Sequence, residues 1–254
     1  MKFVIALFLT VAVGCSRSEE SSSANSTASA ATTSAISTTS ITSTTTQPST
    51  TLAPAPAPAG AEPVAGPKLT PVDQGASDPT FAAYREQLRA AVKAHDVKAT
   101  LALVDPKIRT SFGDRGGVSD FEKTLAKPGA FAMLEQLLSL GGTFLGEGDS
   151  RSFWAPYVYS AWPEERDAFT HVAVIGENVP LRKRAAADAE IVATLSHDIL
   201  ERPKFSEEPW QEVKTADGRS GFVETKQVWS PVGYRAGFNK KNGEWKMTAL
   251  VAGD

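Results

Sequence analysis

The sequence of 254 residues predicts a mixed α+β fold, in which a helical segment precedes a small β-barrel and a C-terminal β-hairpin. Three observations lead to this prediction. Apolar residues recur every three or four positions between 78 and 141, which is typical of helices that bury one face. From residue 169 onward, apolar residues alternate in short β-branched runs at close spacing, which is typical of a small barrel. Residues 16–60 carry few large apolar side chains, which predicts a disordered tether ahead of the folded part.

The first residues have the pattern of an export signal. Lys2 precedes an apolar run that is too short to span a bilayer and that ends in "VGC" at 13–15. This pattern resembles a bacterial lipoprotein signal, in which residues 1–14 are removed and Cys15 is lipidated. An ordinary secretory signal with a chance cysteine is the alternative. The resemblance implies a lipid-anchored protein of the bacterial cell envelope, and Ser16 implies the periplasmic face of the outer membrane.

The tether is predicted over residues 15–67. Its Ser, Thr and Ala residues, followed by "APAPAPAG" at 53–60, cannot bury enough apolar surface to offset the entropy of ordering the chain. A coil of this length spans roughly 40 Å, and more where Pro-Ala repeats favour polyproline II. We interpret the segment as a spacer between the membrane and the folded part, although an inert low-complexity tract has the same composition.

A helical domain is predicted over residues 68–168. Asp78 and Pro79 form a helix start signal. The helix after them carries an apolar stripe of Phe81, Tyr84, Leu88 and Val92. Asp96 is expected to cap a second short helix, which Asp105-Pro106 would end.

Two further helices are expected before residue 142. The sequence "SDFE" at 119–122 fits a capping box, with Ser119 as the N-cap. A last helix carries Phe131 and Leu134 and would end at Gly141-Gly142. We expect all these stripes to form a hydrophobic core.

The strands are predicted over residues 169–230, and a terminal hairpin over 231–254. In the hairpin, apolar residues alternate on both sides of Asn242-Gly243. An earlier hairpin is predicted in "WQEVKTADGRSGFVE" at 210–224, where Asp217-Gly218 suits a turn and Gly221 permits close approach of a neighbouring strand.

This earlier hairpin and the strands before it carry a family resemblance. The segment "ENVPLRKRAAADAEIVATLSHDIL" followed by "WQEVKTADGRSGFVE" resembles the bacterial SH3-type domain. The family pattern ends in Trp-x-x-Val, a turn and Gly-Trp-Val. Trp210, Val213 and Gly221 match it, and Phe222 stands where Trp is usual. The resemblance implies an SH3-like barrel over 169–230 that acts as a non-catalytic binding module.

Six residues are candidates for ligand binding. Arg182, Arg184, Trp210 and Phe222 lie in the segment that resembles the SH3 domain. Trp154 and Tyr157 belong to the aromatic run "FWAPYVYSAW" at 153–162, which could form a platform for sugars or proteins. The alternative for this run is that its rings fill the seam between the helices and the barrel.

The flanks of the barrel allow two architectures. The terminal hairpin could pack on the helices, so that the barrel is an insertion; helices with a closing hairpin resemble the cystatin-like cone fold of nuclear transport factors. Two consecutive domains are the simpler alternative. Helices and a hairpin around such a barrel also resemble Gram-negative SH3 domain-containing lipoproteins of unassigned role.

The sequence offers no recognisable equipment for catalysis. It has three histidines without metal-ligand spacing, one cysteine and no Gly-x-Ser-x-Gly motif. The net charge is −3 and no basic stripe is present, which disfavours nucleic acid as a partner. We therefore expect no enzymatic activity, no cofactor and no metal. The expected function is binding of peptidoglycan or an envelope protein, and the alternatives are a purely structural or protein-interaction module and an accessory factor of a cell-wall hydrolase.

Overall fold

The computed structural model describes residues 62–113, 116–206 and 208–253, without the side chain of Asp149. The predicted signal peptide, Cys15 and the tether up to residue 61 lie outside the described residues. The fold is mixed, with two separate sheets and a group of helices, so the predicted α+β class is confirmed. In the described part of the chain, no helix is long and apolar enough to cross a membrane.

The helices occupy the first half of the described chain. They are α1 (Pro79–Lys93), α2 (Val97–Ala102), α3 (Val118–Leu125), α4 (Ala130–Ser139) and α5 (Tyr157–Ser160). The Asp78 carboxylate accepts hydrogen bonds from the backbone amides of Thr80 and Phe81, so Asp78 caps α1 as predicted. Asp96 caps α2 in the same way through the amide of Ala99.

Two predicted helix boundaries are wrong. Gly117 is the N-cap of α3, and Ser119 lies inside the helix, so the expected capping box does not form. Asp105-Pro106 does not end a helix either, because α2 stops at Ala102 and these residues lie in β1 (Val104–Arg109). The Pro106 ring is tolerated at this sheet edge because β1 has a partner strand on one side only.

The first sheet has five strands in the order β1-β12-β11-β3-β2. Its other members are β2 (Thr143–Leu145), β3 (Ser152–Ala155), β11 (Arg235–Lys241) and β12 (Glu244–Val251). β1 pairs in parallel with β12, and the other pairs are antiparallel. The terminal hairpin β11–β12 therefore joins strands from the helical half, and Asn242-Gly243 forms its turn with positive φ at both residues.

One hydrophobic core joins this sheet to the helices. Its aromatic centre is Phe81 of α1, whose ring centroid lies 4.3 Å from that of Phe153 and 5.0 Å from that of Trp245. Leu88 and Leu134, from the predicted helical stripes, are fully buried in the same cluster. The predicted helical stripes are therefore core residues.

The second sheet has seven strands in the order β10-β4-β7-β8-β9-β5-β6. The strands are β4 (His171–Val174), β5 (Val179–Arg182), β6 (Ile191–Leu195), β7 (Ile199–Glu201), β8 (Trp210–Lys214), β9 (Ser220–Glu224) and β10 (Val228–Trp229). All seven bury residues in one cluster. Among the described residues no pairing joins the outer strands β10 and β6, so the sheet is open and a closed barrel stays a prediction.

The structure differs from the sequence prediction at the end of the tether. Pro63 forms a parallel bridge with Thr194 of β6, and Val64 is buried in the core of the second sheet. Lys68 bridges Asp198, and the Lys68 ammonium lies 2.7 Å from the buried Asp198 carboxylate. The predicted disordered segment ended at residue 67, whereas packing against the second sheet begins by residue 63, because Val64 is apolar enough to be buried there.

Candidate functional site

The hairpin β8–β9 places two of the candidate residues on one face. Alternation along β8 turns Gln211 and Val213 inward and leaves Trp210 on the opposite, partly exposed face. Phe222 lies on the same face of β9, because it pairs with Glu212, two residues from Trp210. Trp210 and Phe222 are therefore diagonal neighbours across the hairpin.

A three-residue turn fixes this hairpin. Gly218 has φ of 91°, and the Thr215 amide donates to the Arg219 carbonyl at 2.9 Å. The Asp217 carboxylate accepts hydrogen bonds from the side chains of Arg219 and Thr215, which together hold its pKa well below the usual range. The positive φ is needed at Gly218 alone, as in three-residue hairpin loops that end in a glycine bulge.

A cleft of about 630 Å³ lies over the outer face of this hairpin. It is lined by Trp210, Phe222, Phe205 and polar residues of the loop before β8, and by Ala185 of the loop after β5. The Phe205 ring is 63% exposed, and the Arg202 guanidinium lies 5.3 Å from its centroid. Trp210 also lines a second cleft, on the side of Lys226. One exposed ring, that of Phe205, and two partly buried rings, those of Trp210 and Phe222, thus line one concave surface.

Charged and polar groups lie beside these rings. Lys204, Glu208 and Glu212 line the same cleft, so both signs of charge are present. The loop before β8 is fixed at both ends. The side-chain amide of Gln211 donates to the Lys204 carbonyl at 2.7 Å, and the Thr225 hydroxyl donates to the Glu208 carbonyl at 2.6 Å. Such a surface can stack against apolar faces of a ligand and hydrogen-bond its polar groups.

The two candidate arginines have different positions. The Arg182 guanidinium donates to the Ala189 carbonyl at 2.7 Å, so it holds the loop after β5 in place. Arg184 lies in that loop, exposed and next to Ala185 of the cleft. Arg184 is therefore the arginine with a free approach to a ligand, and Arg182 has a structural contact.

Trp154 and Tyr157 do not lie at the cleft. Tyr157 is 1% exposed and packs with Leu69 and Ile199 in a third cluster, and its burial raises its pKa to about 12. Trp154 is half-buried, with its ring against Tyr159 and over Gly237. A ligand cannot reach the Tyr157 ring in this arrangement, which agrees with the seam interpretation of the aromatic run.

Sequence reasoning did not identify Phe205 and Lys204. In the sequence they form a Lys-Phe pair in a loop between two predicted strands. Only the fold shows that this loop lies beside Trp210. Within residues 62–113, 116–206 and 208–253, no group of three or more His, Cys, Asp or Glu side chains could hold a metal ion.

Comparison with known proteins gives one family match. Residues 176–230 match the family model described as the bacterial SH3 domain. No curated protein matches the chain. A bacterial SH3 domain is consistent with a binding module.

Solved structures are only distantly similar. A protein of unknown function with a cystatin-like fold from Nostoc punctiforme is 12% identical; the match covers 71% of this chain and 92% of that chain, with a TM-score of 0.27. An NTF2-like protein of unknown function from Pseudomonas putida is 11% identical; that match covers 71% of this chain and 87% of the other, with a TM-score of 0.26. Both TM-scores are too low to assign a fold. The family match, by contrast, supports the resemblance carried by the hairpin motif: residues 176–230 are similar to the bacterial SH3 domain.

Proposed function

We propose that this protein is a non-catalytic binding protein of the bacterial cell envelope, and that the SH3-like segment of its second sheet binds peptidoglycan glycan. Lipidation at Cys15 would hold it at the periplasmic face of the outer membrane, and the tether would give the folded part its reach. The helical domain, the barrel and the terminal hairpin, with the limits given above, belong to the same proposal.

The observation that supports glycan as the ligand is the cleft over β8–β9. Its three aromatic rings share one concave surface with Lys204, Glu208 and Glu212. Sugars present apolar ring faces and many hydroxyls, so they suit aromatic rings flanked by polar groups. A protein partner would be favoured instead by a flat, contiguous apolar patch.

The binding we expect is weak for one domain. The cleft is open, and the exposed charges at its rim are screened by salt. A lipid anchor and neighbouring copies raise the effective concentration of the domain at the wall, which compensates for a low intrinsic affinity. We include Arg184 in the proposed site and treat Arg182 as its support.

Co-sedimentation of the purified protein with isolated peptidoglycan sacculi tests this proposal. We expect saturable binding without release of soluble fragments. Trp210→Ala and Phe222→Ala should each weaken binding about ten-fold, which corresponds to about 1.4 kcal/mol of lost stacking and burial. Phe169→Ala is the matched control, because that ring is 57% exposed and lies outside the cleft.

Three outcomes would contradict parts of the proposal. If Trp210→Ala and Phe222→Ala bind sacculi as well as the control does, the glycan site does not lie in this cleft. Release of soluble fragments from the sacculi would overturn the non-catalytic assignment. Failure to bind sacculi, with Trp210-dependent retention of one protein from envelope extract, would favour the protein-interaction alternative.

A further inference from the structure

A further cleft lies at the β11–β12 turn of the first sheet, separate from the cleft proposed for glycan. It has a volume of about 450 Å³ and is lined by the start of α1, the segment between β2 and β3, and the β11–β12 turn. The residues are Asp78, Gly148, Arg151, Lys240, Asn242, Gly243 and Trp245. We call it the hairpin-end cleft; it shares no lining residue with the clefts around Trp210.

Arg151 enters this cleft in a fixed position. Its guanidinium carbon lies 3.7 Å from the centroid of the Phe144 ring, which is close stacking. Stacking uses the face of the guanidinium and leaves its N–H edge available. The guanidinium also forms a long ion pair with the Asp78 carboxylate, in which the nitrogen and oxygen atoms are 3.7 Å apart, too far for a hydrogen bond.

Lys240 supplies a second cation. It lies opposite Trp245 in the β11–β12 register, and its ammonium is 5.5 Å from the centroid of the Trp245 ring. No carboxylate of the described part of the chain forms an ion pair with Lys240. Glu244, at the same turn, pairs with Lys246 instead. The Thr80 hydroxyl first, and the Lys240 charge last, help to lower the pKa of Asp78, so Lys240 lies within electrostatic reach of this carboxylate without a direct ion pair.

Asp78 and Trp245, two other polar residues of the cleft, are already engaged in hydrogen bonds. Asp78 accepts hydrogen bonds from two backbone amides at the start of α1 and from the Thr80 hydroxyl. The Trp245 indole N–H donates to the same Thr80 hydroxyl at 3.0 Å. The one carboxylate in the cleft thus stabilises the N-terminus of α1 and also faces both cations, whose two positive charges exceed its single negative charge. Each cation is placed on an aromatic ring.

We propose that the hairpin-end cleft binds a small anion with two negative charges, such as a dicarboxylate or a phosphate group. Arg151 would bind one end through the N–H edge of its guanidinium, and Lys240 would bind the other charge. Charge-assisted hydrogen bonds of this kind are about twice as strong as neutral ones, and both cations are placed before the ligand arrives. This site is independent of the proposed glycan binding.

Titration calorimetry on the purified protein at low ionic strength tests the site, with succinate and inorganic phosphate as separate probes. We expect saturable binding of at least one probe, weakened at least ten-fold by Lys240→Gln and by Arg151→Gln. Lys241→Gln is the matched control, because Lys241 is an exposed lysine of the same strand that does not line the cleft. Which probe binds more tightly distinguishes a carboxylate ligand from a phosphate ligand.

The result can overturn the proposal in two ways. Absence of saturable binding of both probes would refute the site. An equal loss in Lys241→Gln and Lys240→Gln would show general attraction of anions to the hairpin. Circular dichroism checks whether Arg151→Gln, which loses a stacking contact, keeps its fold. If Arg151→Gln does not keep its fold, the test rests on Lys240→Gln, because Lys240 is exposed and its replacement should leave the fold intact.

Discussion

Gly221 offers a sharp test of how the second sheet is packed. A Cβ atom at this position would lie 2.6 Å from the carbonyl oxygen of Arg182 and 3.0 Å from two carbon atoms of the Leu181 side chain. Leu181 is fully buried, and the Arg182 carbonyl belongs to the neighbouring strand β5. The φ angle of Gly221 is not positive, so backbone conformation does not require a glycine here. Glycine is needed because there is no room for a Cβ atom.

The substitution Gly221→Val therefore forces β5 and β9 apart. Ordinary contacts between nonbonded atoms need about 3.5–4.0 Å, so the strands must separate by roughly 0.5–1 Å. Overpacking of this kind costs about 1–3 kcal/mol, and the higher strand propensity of Val offsets only part of it. A loss of about 2 kcal/mol would lower the melting temperature by about 4–8 °C in a protein of this size.

Urea and thermal denaturation of the purified protein measure the change. Gly176→Ala is the matched control, because its Cβ would meet one Val179 methyl at 3.5 Å, an ordinary contact, and its φ is also not positive. We expect the control to stay within about 0.5 kcal/mol of the parent. If Gly221→Val is as stable as the control, Gly221 is not packed against β5 and the reasoning fails.

Three further predictions concern the anchor and two ion pairs. Cys15→Ala should move the protein from the membrane fraction to the soluble or unprocessed fraction; unchanged, fully processed membrane protein would contradict lipidation. Lys68→Met should destabilise the protein by about 1–3 kcal/mol in urea denaturation, because Asp198 is 1% exposed and would lose its cation, whereas an unchanged midpoint would mean that water replaces Lys68. Burial alone would raise the pKa of Asp73, but hydrogen bonds from Arg85 and the Gly75 amide outweigh it and lower that pKa. This ion pair therefore contributes stability above the ordinary pKa of aspartate, and the contribution is lost as the pH falls below about 4. Asp73→Asn should make the free energy of unfolding depend less on pH in the acid range. An unchanged pH dependence would show that Asp73 is not responsible for it.

The sequence by itself determined the features that depend on neighbouring residues. Asp78 and Asp96 cap helices because a short side-chain oxygen can reach the amides of the next turn, whatever the rest of the chain does. The turns at Gly218 and Asn242-Gly243 follow from the same local geometry. The SH3-type segment was also recognisable, because its strand residues and turn keep a characteristic spacing.

The candidate site was predictable only in part. Trp210 and Phe222 could be placed on one face by alternation, and both line the cleft. Phe205 could not be included, because its loop meets the hairpin only through tertiary contacts. Tyr157 was a plausible surface ring in the sequence, and the structure buries it because three segments distant in sequence converge on it.

Only the tertiary structure decided the arrangement of the first sheet. The sequence predicts no strand at β1, because the expected second helix ends at Asp105-Pro106 and a short apolar run next to proline has no period of its own. The parallel partner of β1 is β12, more than a hundred positions along the chain. The hairpin-end cleft has the same origin, since Arg151 and Lys240 come from separate segments of the chain and meet only where the first sheet is assembled. Pairings of this kind depend on burial gained across the whole core, which no local pattern records.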